Sequence, residues 1–287
     1  MSSPVSADLR GRCCLVTGAS SGIGRQAARE LARLGAHVVL ACRSRQRGEQ
    51  ARRAIAGETN GAQPELRVVD LSSRRSTREF AQTFAADHPR LDVLVNNAGT
   101  WSARRRETSE GVELTWATNM LGYFQLTELL LDRLKASAPS RIVNVASLLA
   151  RDLDLDDVEF KRRRYRGVDA YAQSKQANRM WTWALARRLE GVGVTANALH
   201  PGTVSTPLFA KGGGLLALAA GVWARLFGRS VREGADTVVW LAASPEAGSE
   251  HGKLWIDRRA VRCRYRHEEQ EESLWGLCTG MVASGGS

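Results

Sequence analysis

The chain of 287 residues is 43% hydrophobic and 25% charged, which is ordinary for a globular protein and leaves enough apolar residues for a core. Its formal net charge is +11 and its pI is about 10.1, so anionic ligands and surfaces come into consideration. The five cysteines include no CxxC pair, which argues against a disulfide framework or a metal site and favours a reducing cytoplasm.

No pattern for nucleic-acid binding accompanies the positive charge. The sequence contains no helix-turn-helix, zinc-finger or RNP motif, so we expect no nucleic-acid partner. The N-terminal residues lack the apolar segment of a signal peptide. The longest apolar run, 215–223, is shorter than the ~20 residues that a spanning helix needs. We therefore expect a cytoplasmic protein without a transmembrane helix.

Apolar runs alternate with helical patterns from residue 13 onwards. The runs are rich in Val, Leu and Ile without polar alternation, which predicts strands buried on both faces. Their alternation with helices predicts an α/β Rossmann fold, a doubly wound parallel sheet of about seven strands with helices on both faces. The predicted strands are 13–17, 37–42, 66–71, 91–99, 141–147, 194–202 and 252–257. The predicted helices are 22–34, one ending near 57, 73–87, 111–135, one ending near 189, and 231–241.

No change of composition divides the chain, so we expect a single domain over 1–287 with irregular insertions at 150–167 and 207–230. In the first insertion, the acidic stretch 152–159 is expected to pair with the basic run 161–166. The second is apolar, interrupted by glycines and aromatic at two positions. We predict a lid that admits a bulky lipophilic substrate, with a core-packing helix or a self-association face as the equal alternative. Contact with an acidic membrane surface is a further alternative.

A glycine-rich turn, "TGASSGIG" at 17–24, lies between the first predicted strand and helix. Gly18, Gly22 and Gly24 allow a tight turn and a close approach of the backbone to a ligand. The helix that follows offers free N–H groups and a positive dipole to a pyrophosphate. The turn therefore predicts a dinucleotide site, and a tight strand–helix connection without a ligand is the alternative.

The end of the second strand indicates which dinucleotide is bound. An acid there would bind the ribose hydroxyls of NAD, whereas an arginine pairs with the 2′-phosphate of NADP. The strand ends in "LACRSR", which places Arg43 at that position with no acid beside it, and Arg25 or Arg45 could assist. We therefore predict NADP(H) in preference to NAD(H). Asp70, after the third strand, could bind the adenine amino group or cap a helix.

Tyr171 and Lys175 lie four residues apart in a helical pattern, so they share one face. The pair could be an ordinary surface pair. A free tyrosine has a pKa near 10 and is a weak acid–base at neutral pH, and a cation one turn away is expected to lower that pKa. Tyr171 would then act as a general acid in reduction of a carbonyl and as a base in oxidation of an alcohol.

Six motifs occur in a fixed order and cover almost the whole chain. They are "TGASSGIG" (17–24), "NNAG" (96–99), Asn119 in "TNMLGYF", Ser147 in "VNVAS", "YAQSK" (171–175) and "HPG" (200–202). Together they resemble the motifs of the short-chain dehydrogenase/reductase family. The sequences around "LACRS" and "APSRIVNVAS" are similar to the retinol-dehydrogenase-like branch of that family.

The resemblance implies a role for each motif residue. Ser147 would steady the substrate oxygen, Lys175 would also bind the nicotinamide ribose, and Asn119 would hold a water that relays protons. A buried Asn that satisfies a helix irregularity is the alternative for Asn119, and His200 is expected to be structural. The implied cofactor-binding residues are Gly18, Ser20, Ser21, Gly22, Ile23, Arg43, Asp70, Leu71, Asn97, Ala98, Gly99, Tyr171, Lys175, Pro201, Gly202 and Val204.

Two departures from the family pattern concern the substrate. Ala146 stands where the family often has a serine, and the interval between Ser147 and Tyr171 is longer than the common spacing. We therefore predict an NADP(H)-dependent alcohol dehydrogenase or carbonyl reductase for a retinoid-, prenyl- or steroid-like compound. The alternatives are a non-catalytic NADP-binding sensor or scaffold, and a membrane- or nucleic-acid-binding protein that uses its basic surface. The resemblance also implies a homodimer or homotetramer.

Overall fold

The computed structural model describes residues 3–59, 61–202 and 229–284. Its strands are β1 (Cys13–Thr17), β2 (His37–Cys42), β3 (Glu65–Val68), β4 (Val93–Asn96), β5 (Ser140–Val145), β6 (Val194–Leu199), β7 (Leu254–Ile256) and β8 (Arg259–Val261). They form one sheet in the order β3-β2-β1-β4-β5-β6-β7-β8. The pairs from β3 to β7 are parallel and β7 pairs antiparallel with β8. This order confirms the predicted doubly wound fold.

Helices cover both faces of the sheet. The helices are α1 (Gly22–Arg33), α2 (Arg45–Glu58), α3 (Arg74–Asp87), α4 (Leu114–Trp116), α5 (Gly122–Ala136), α6 (Gly167–Arg188), α7 (Val231–Ala243) and α8 (Glu268–Ala283). On one face Leu31 of α1 and Val238 of α7 belong to one buried cluster. On the other, Phe84, Trp181 and Leu274 of α3, α6 and α8 belong to a second. Within the part of the chain that the structure describes, no helix is long and apolar enough to cross a bilayer.

The structure adds two elements that the sequence did not predict. Strand β8 is three residues long and mostly exposed, so it carries no apolar run to reveal it. Helix α8 begins with the acidic stretch "EEQEES" and buries few side chains, among them Leu274 and Cys278. The predicted helix 111–135 is also different, because a π-helical segment, Ala117–Leu121, separates α4 from α5.

The first insertion, 150–167, is held by charge pairing as predicted. The carboxylate of Asp157 accepts hydrogen bonds from the backbone N–H groups of Lys161 at 2.7 Å and Arg163 at 2.9 Å. The Arg163 guanidinium lies 3.2 Å from the carboxylate of Asp154. The acidic and basic stretches therefore fold onto each other. The greater part of the second insertion, 203–228, lies outside the described residues, and with it the predicted lid.

Strands β5 and β6 end before the residues that were predicted to close them. Strand β5 ends at Val145 and β6 at Leu199, whereas the apolar patterns continue to 147 and 202. Ser147 and Pro201 therefore lie beyond the last ladder residues, at the carboxyl edge of the sheet. In a doubly wound fold this edge is where ligands bind.

Candidate active site

Ser147, Tyr171 and Lys175 meet at the carboxyl edge of β5. Ser147 follows the strand by two residues, while Tyr171 and Lys175 lie one turn apart on α6 and are 6% and 3% exposed. The side chains of Ser147 and Tyr171 share a hydrogen bond. The Lys175 ammonium donates to the carbonyl of Val145 at 2.8 Å and lies 3.4 Å from the hydroxyl of Tyr123. The structure thus brings three of the four predicted catalytic residues to one place.

The predicted direction of the pKa shift at Tyr171 is wrong for the protein by itself. Burial raises the pKa of Tyr171 to about 12, and the hydrogen bond with Ser147 opposes that rise only in part. Burial also lowers the pKa of Lys175 to about 7. Both shifts have one cause, because taking either group out of water disfavours its charged form. The site therefore holds a protonated phenol beside an amine that changes its protonation near neutral pH.

Asn119 lies in the π-helical segment and is fully buried. Its side-chain oxygen accepts from the N–H of Thr100 at 2.8 Å, and its amide donates to the Thr100 carbonyl at 3.0 Å and to Ser174 at 3.1 Å. The amide of Asn178 bonds the Asn119 main-chain oxygen at 2.8 Å. The side chain of Asn119 thus joins the loop after β4 to α6, and it is Asn178 that satisfies a carbonyl of the irregular segment. The proton-relay role of Asn119 stays a prediction. Segments of this kind are frequent at functional sites.

Gly99 forms an open shelf over the catalytic group. A Cβ added to it would lie 3.7 Å from the side-chain oxygen of Asn119 and 4.0 Å from the nitrogen of Lys175. The residue is exposed, so a ligand that lies on its backbone would contact both groups. The neighbouring carbonyl of Ala98 accepts a hydrogen bond of 2.6 Å from Tyr123.

The glycine turn has the geometry of an anion site. Gly18 and Gly22 have φ angles of +66° and +57°, which favour glycine. A Cβ at Gly18 would lie 2.7 Å from the Cα of Ala98, so the turn packs directly on the loop after β4. Helix α1 begins at Gly22, and the side chain of its N-cap, Ser21, makes no capping hydrogen bond. The first N–H groups of α1 are thus without a side-chain cap, which fits a pyrophosphate.

Asn97 has a structural contact in addition to its predicted place beside the cofactor. Its side-chain amide donates to the carbonyl of Thr17 at 2.8 Å, and its backbone N–H donates to the Thr17 hydroxyl at 2.8 Å. The N–H of Ala98 bonds the same hydroxyl at 3.0 Å. Thr17 therefore fixes the loop after β4 against the glycine turn, a role that the motif alone did not indicate.

Arg43 and Asp70 lie at the ends of neighbouring strands. Arg43 is exposed, follows β2 directly and forms no ion pair within the described ranges 3–59, 61–202 and 229–284. One carboxylate oxygen of Asp70 accepts from the N–H and hydroxyl of Ser72, at 3.0 and 2.7 Å. The cap of α3 is Ser73, so the helix-cap alternative for Asp70 is wrong. Leu71 is buried beneath this turn.

The remaining predicted residues lie around these two centres. Ser20 and Ile23 of the glycine turn are half-buried, as are Pro201 and Gly202 after β6, and Val204 lies outside the described residues. His200 is buried, and its Nδ1 accepts from the N–H of Gly202 at 3.2 Å. Burial and the nearby Arg179 lower the pKa of His200 to about 4, so the ring is neutral.

Three residues around the site were not predicted. Tyr123 and Asn178 are fully buried and bond the loop after β4 and the π segment. Arg179, one turn beyond Lys175 on α6, is 6% exposed, and its guanidinium bonds the backbone carbonyl of Ser147. Its position, four residues after Lys175, was the available signal, because it places Arg179 on the catalytic face of the helix.

A second cluster of polar side chains lies at the amino edge of the sheet. His37, Glu65 and His88 bring three metal-ligand atoms within 4.8 Å of one another. One oxygen of Glu65 is already bonded to both imidazoles, at 3.2 and 2.9 Å. Arg67 engages the other oxygen. The carboxylate is therefore fully used by neighbouring side chains, and the cluster has no connection with the catalytic group.

Comparison with known proteins adds family relationships to this geometry. The short chain dehydrogenase family matches residues 12–213. Human retinol dehydrogenase 13 is 40% identical over 97% of the chain and 87% of its own length. An uncharacterized protein from Mycobacterium paratuberculosis has a TM-score of 0.77 at 32% identity, covering 97% of this chain and 96% of its own. A protein described as an NAD(P) dependent gluconate 5-dehydrogenase from Beutenbergia cavernae, with NADP bound at low occupancy, has a TM-score of 0.68 at 34% identity, covering 87% and 96%.

Proposed function

Because the chain belongs to the short chain dehydrogenase family, in which retinol dehydrogenases are 40% identical to it, we propose that it interconverts an alcohol and a carbonyl compound with NADP(H). The observation that carries this proposal is the hydrogen-bonded pair of Ser147 and Tyr171, with Lys175 one helical turn away, at the carboxyl edge of the sheet. This pair provides a proton donor and a hydroxyl at one point, as reduction of a carbonyl requires.

The cofactor site in this proposal runs from the glycine turn to the catalytic group. The N–H groups at the start of α1 would hold the pyrophosphate, and Gly18 allows its close approach. Arg43 would pair with the 2′-phosphate, and Asp70 has a carboxylate oxygen to offer to the adenine. Lys175 would bond the nicotinamide ribose across the Gly99 shelf. When bound, NADP(H) supplies or accepts the hydride.

In the reductive direction, Tyr171 donates its phenolic proton to the oxygen that Ser147 holds. An alkoxide is a far stronger base than a phenolate, so the transfer is favourable even from a pKa of about 12. Lys175 in its ammonium form then offsets the charge left on Tyr171, and Asn119 would hold the water that returns a proton.

The substrate in this proposal is bulky and lipophilic. Leu148 and Leu149 follow Ser147 directly and are 58% and 37% exposed, so apolar surface adjoins the reacting oxygen. The names of the retinol dehydrogenases among the relatives support the same class. We place the enzyme in the cytoplasm as a homodimer or homotetramer. The free thiols of the described cysteines, such as Cys14, agree with a reducing compartment.

A non-catalytic sensor is the second candidate, and the pairing of Ser147 with Tyr171 speaks against it. Lys175 would serve cofactor binding in either case, but a protein that only binds a dinucleotide has no use for a serine hydroxyl bonded to a buried phenol. A basic-surface binder is disfavoured by the many arginines that already pair with acids, as Arg187 does with Glu271 and Glu272.

Replacement of the phenol tests the proposed reaction. We expect Tyr171→Phe to lower NADPH oxidation with lipophilic aldehydes roughly 10²–10⁴-fold, since it removes the proton donor. NADPH binding, followed by nicotinamide fluorescence, should change little. Tyr165→Phe is the matched control, because Tyr165 bonds Ser102 and Glu113 away from the catalytic group and its loss should leave turnover intact. Equal turnover of Tyr171→Phe and the wild-type protein would exclude the proposed mechanism.

A further inference from the structure

A cleft of about 400 Å³ opens beside Ser147, where β6 and β7 end and the chain leaves β8. Its lining combines apolar and cationic side chains. Leu148 and Leu149, which follow Ser147 directly, and Ile256 and Val261 are apolar. Four arginines also line the cleft, and they are Arg151, Arg179, Arg262 and Arg264.

No carboxylate lines this cleft within the described part of the chain, so its positive charge is only partly balanced. Arg151 is paired outside the lining, with Asp152 at 3.0 Å and Asp169 at 3.4 Å. Arg264 donates to the neutral hydroxyl of Tyr265 at 2.7 Å, and the charge of Asp152 also acts on it. Arg262 is exposed and forms no ion pair with any residue that the structure describes. The cleft is therefore a region of positive potential next to apolar surface.

Two buried N–H groups in the wall also lack an acceptor. Arg179 uses its two terminal nitrogens for the carbonyls of Ser147 and Ala150, and its Nε has no partner in the described residues. His200 accepts at Nδ1 from Gly202, so its proton is on Nε2, which has no partner there either. Both side chains are 6% exposed. Buried donors without acceptors are costly, and two of them in one wall favour a ligand that brings acceptor oxygens.

We propose that this cleft binds substrates whose apolar chain ends in an oxyanion, with a carboxylate as the simplest case. The apolar wall beside Ser147 takes the chain that carries the reacting alcohol or carbonyl. Arg262 and Arg264, which line the cleft after β8, receive the anionic group through charge-assisted hydrogen bonds. This inference rests on the proposed reaction and narrows its substrate from a lipophilic alcohol or aldehyde to an anionic amphiphile.

Binding of matched ligands tests the inference without turnover. The probes are medium-chain ω-hydroxy fatty acids and their methyl esters, titrated calorimetrically into the protein with NADPH present, because an alcohol and the reduced cofactor cannot react with each other. We expect each acid to bind roughly tenfold more tightly than its ester, and the preference to fall as salt is raised. Arg262→Ala with Arg264→Ala should remove the preference and leave ester binding unchanged. Arg259→Ala, an exposed arginine of β8 outside the cleft lining, is the matched control.

Equal affinity for acid and ester would overturn the inference, as would an equal loss of acid binding in Arg259→Ala. Turnover of the ω-oxo acids and esters, measured separately by NADPH oxidation, distinguishes failure of the proposed anionic site from failure of the proposed reaction. Reduction of esters and acids at equal efficiency, with equal binding, keeps the reaction and rejects the anionic site. A binding preference that depends on Arg262 and Arg264, without NADPH oxidation, keeps the site and rejects the reaction.

Discussion

Two buried ionisable residues lie at opposite edges of the sheet and differ in their partners. At the amino edge, Asp92 is 3% exposed, and its carboxylate accepts from Arg12 at 2.7 Å, from Arg90 at 2.6 Å and from the N–H of Cys13 at 2.8 Å. At the carboxyl edge, Lys175 is also 3% exposed, but it bonds a carbonyl and pairs with no carboxylate among the residues that the structure describes.

The difference separates a charge that stabilises the fold from one that serves a ligand. Burial alone would raise the pKa of Asp92, but the bonds from Arg90, Arg12 and Cys13 outweigh it and lower the pKa. Burial lowers the pKa of Lys175 from 10.5 to about 7, and no carboxylate among the described residues pairs with the ammonium to oppose it. A shift of that size costs the folded state on the order of 5 kcal/mol at neutral pH. Unpaired charge at the carboxyl edge is therefore kept at the expense of stability.

The largest expected effect is the loss of turnover on removing the lysine. We expect Lys175→Met to lower NADPH-dependent reduction roughly 10²–10³-fold, because no cation then offsets the charge on Tyr171. Lys161→Met removes an exposed lysine whose partner is Glu159 and should leave turnover unchanged. Steady-state kinetics with saturating NADPH would measure both. Full activity of Lys175→Met would contradict the role of the Lys175 charge in the reaction, and with it the proposed difference between the two edges of the sheet.

The same variant should be more stable than the wild-type protein, and the gain should depend on pH. The folded pKa of Lys175 is about 7 and lies below its unfolded value, so the unfolded chain binds the extra proton between about pH 7 and 10.5. The penalty is complete below pH 7 and vanishes as the pH rises through that window. We expect an advantage of Lys175→Met of about 4 kcal/mol at pH 7 that is lost near pH 10, measured by urea unfolding. A stability difference between Lys175→Met and the wild-type protein that stays constant from about pH 7 to pH 10 would contradict this prediction.

At the amino edge we expect the opposite response. Asp92→Asn should reduce the free energy of unfolding by about 2 kcal/mol, less than for a fully buried ion pair because Arg12 and Arg90 are 39% and 44% exposed. The wild-type advantage should disappear in acid, since a lowered carboxyl pKa stabilises the fold only above that pKa. Asp8→Asn, at an exposed pair with Arg10, is the control. Denaturant unfolding at neutral and acidic pH would measure the change in the free energy of unfolding, and kcat should not change.

The smallest expected effect concerns Arg43, the exposed arginine that follows β2. Arg43→Asp should weaken NADP binding roughly tenfold and leave NAD binding unchanged or improved, because it exchanges a partner of the 2′-phosphate for one of the ribose hydroxyls. Arg53→Asp, on α2 at a side chain 76% exposed, tests whether any loss of positive charge has the same effect. Equal weakening of both cofactors in Arg43→Asp would refute the phosphate role.

The glycine turn and the residues after β5 could be located from sequence because they follow strands that are recognisable as apolar runs. Buried parallel strands are continuous apolar runs, so Ser147 could be placed at a strand end without coordinates. Helix α8 and β8 could not be found, because neither carries a continuous apolar run. Helix α8 packs on α6, which is far earlier in the chain, and β8 pairs with the short neighbouring strand β7. The roles of Arg179 and Tyr123 depend on carbonyls that approach only in the folded chain.

The sequence by itself determined the alternation of strands and helices, the order of the motifs and the shared helical face of Tyr171 and Lys175, since these follow from local periodicity. The tertiary structure alone decided how deeply each group is buried and which partner it meets. Those two facts reversed the expected pKa shift of Tyr171 and left Lys175 without a carboxylate partner in the described chain. They also placed arginines from α6 and from the chain after β8 around one cleft. Desolvation depends on everything packed around a group, and no local pattern contains that information.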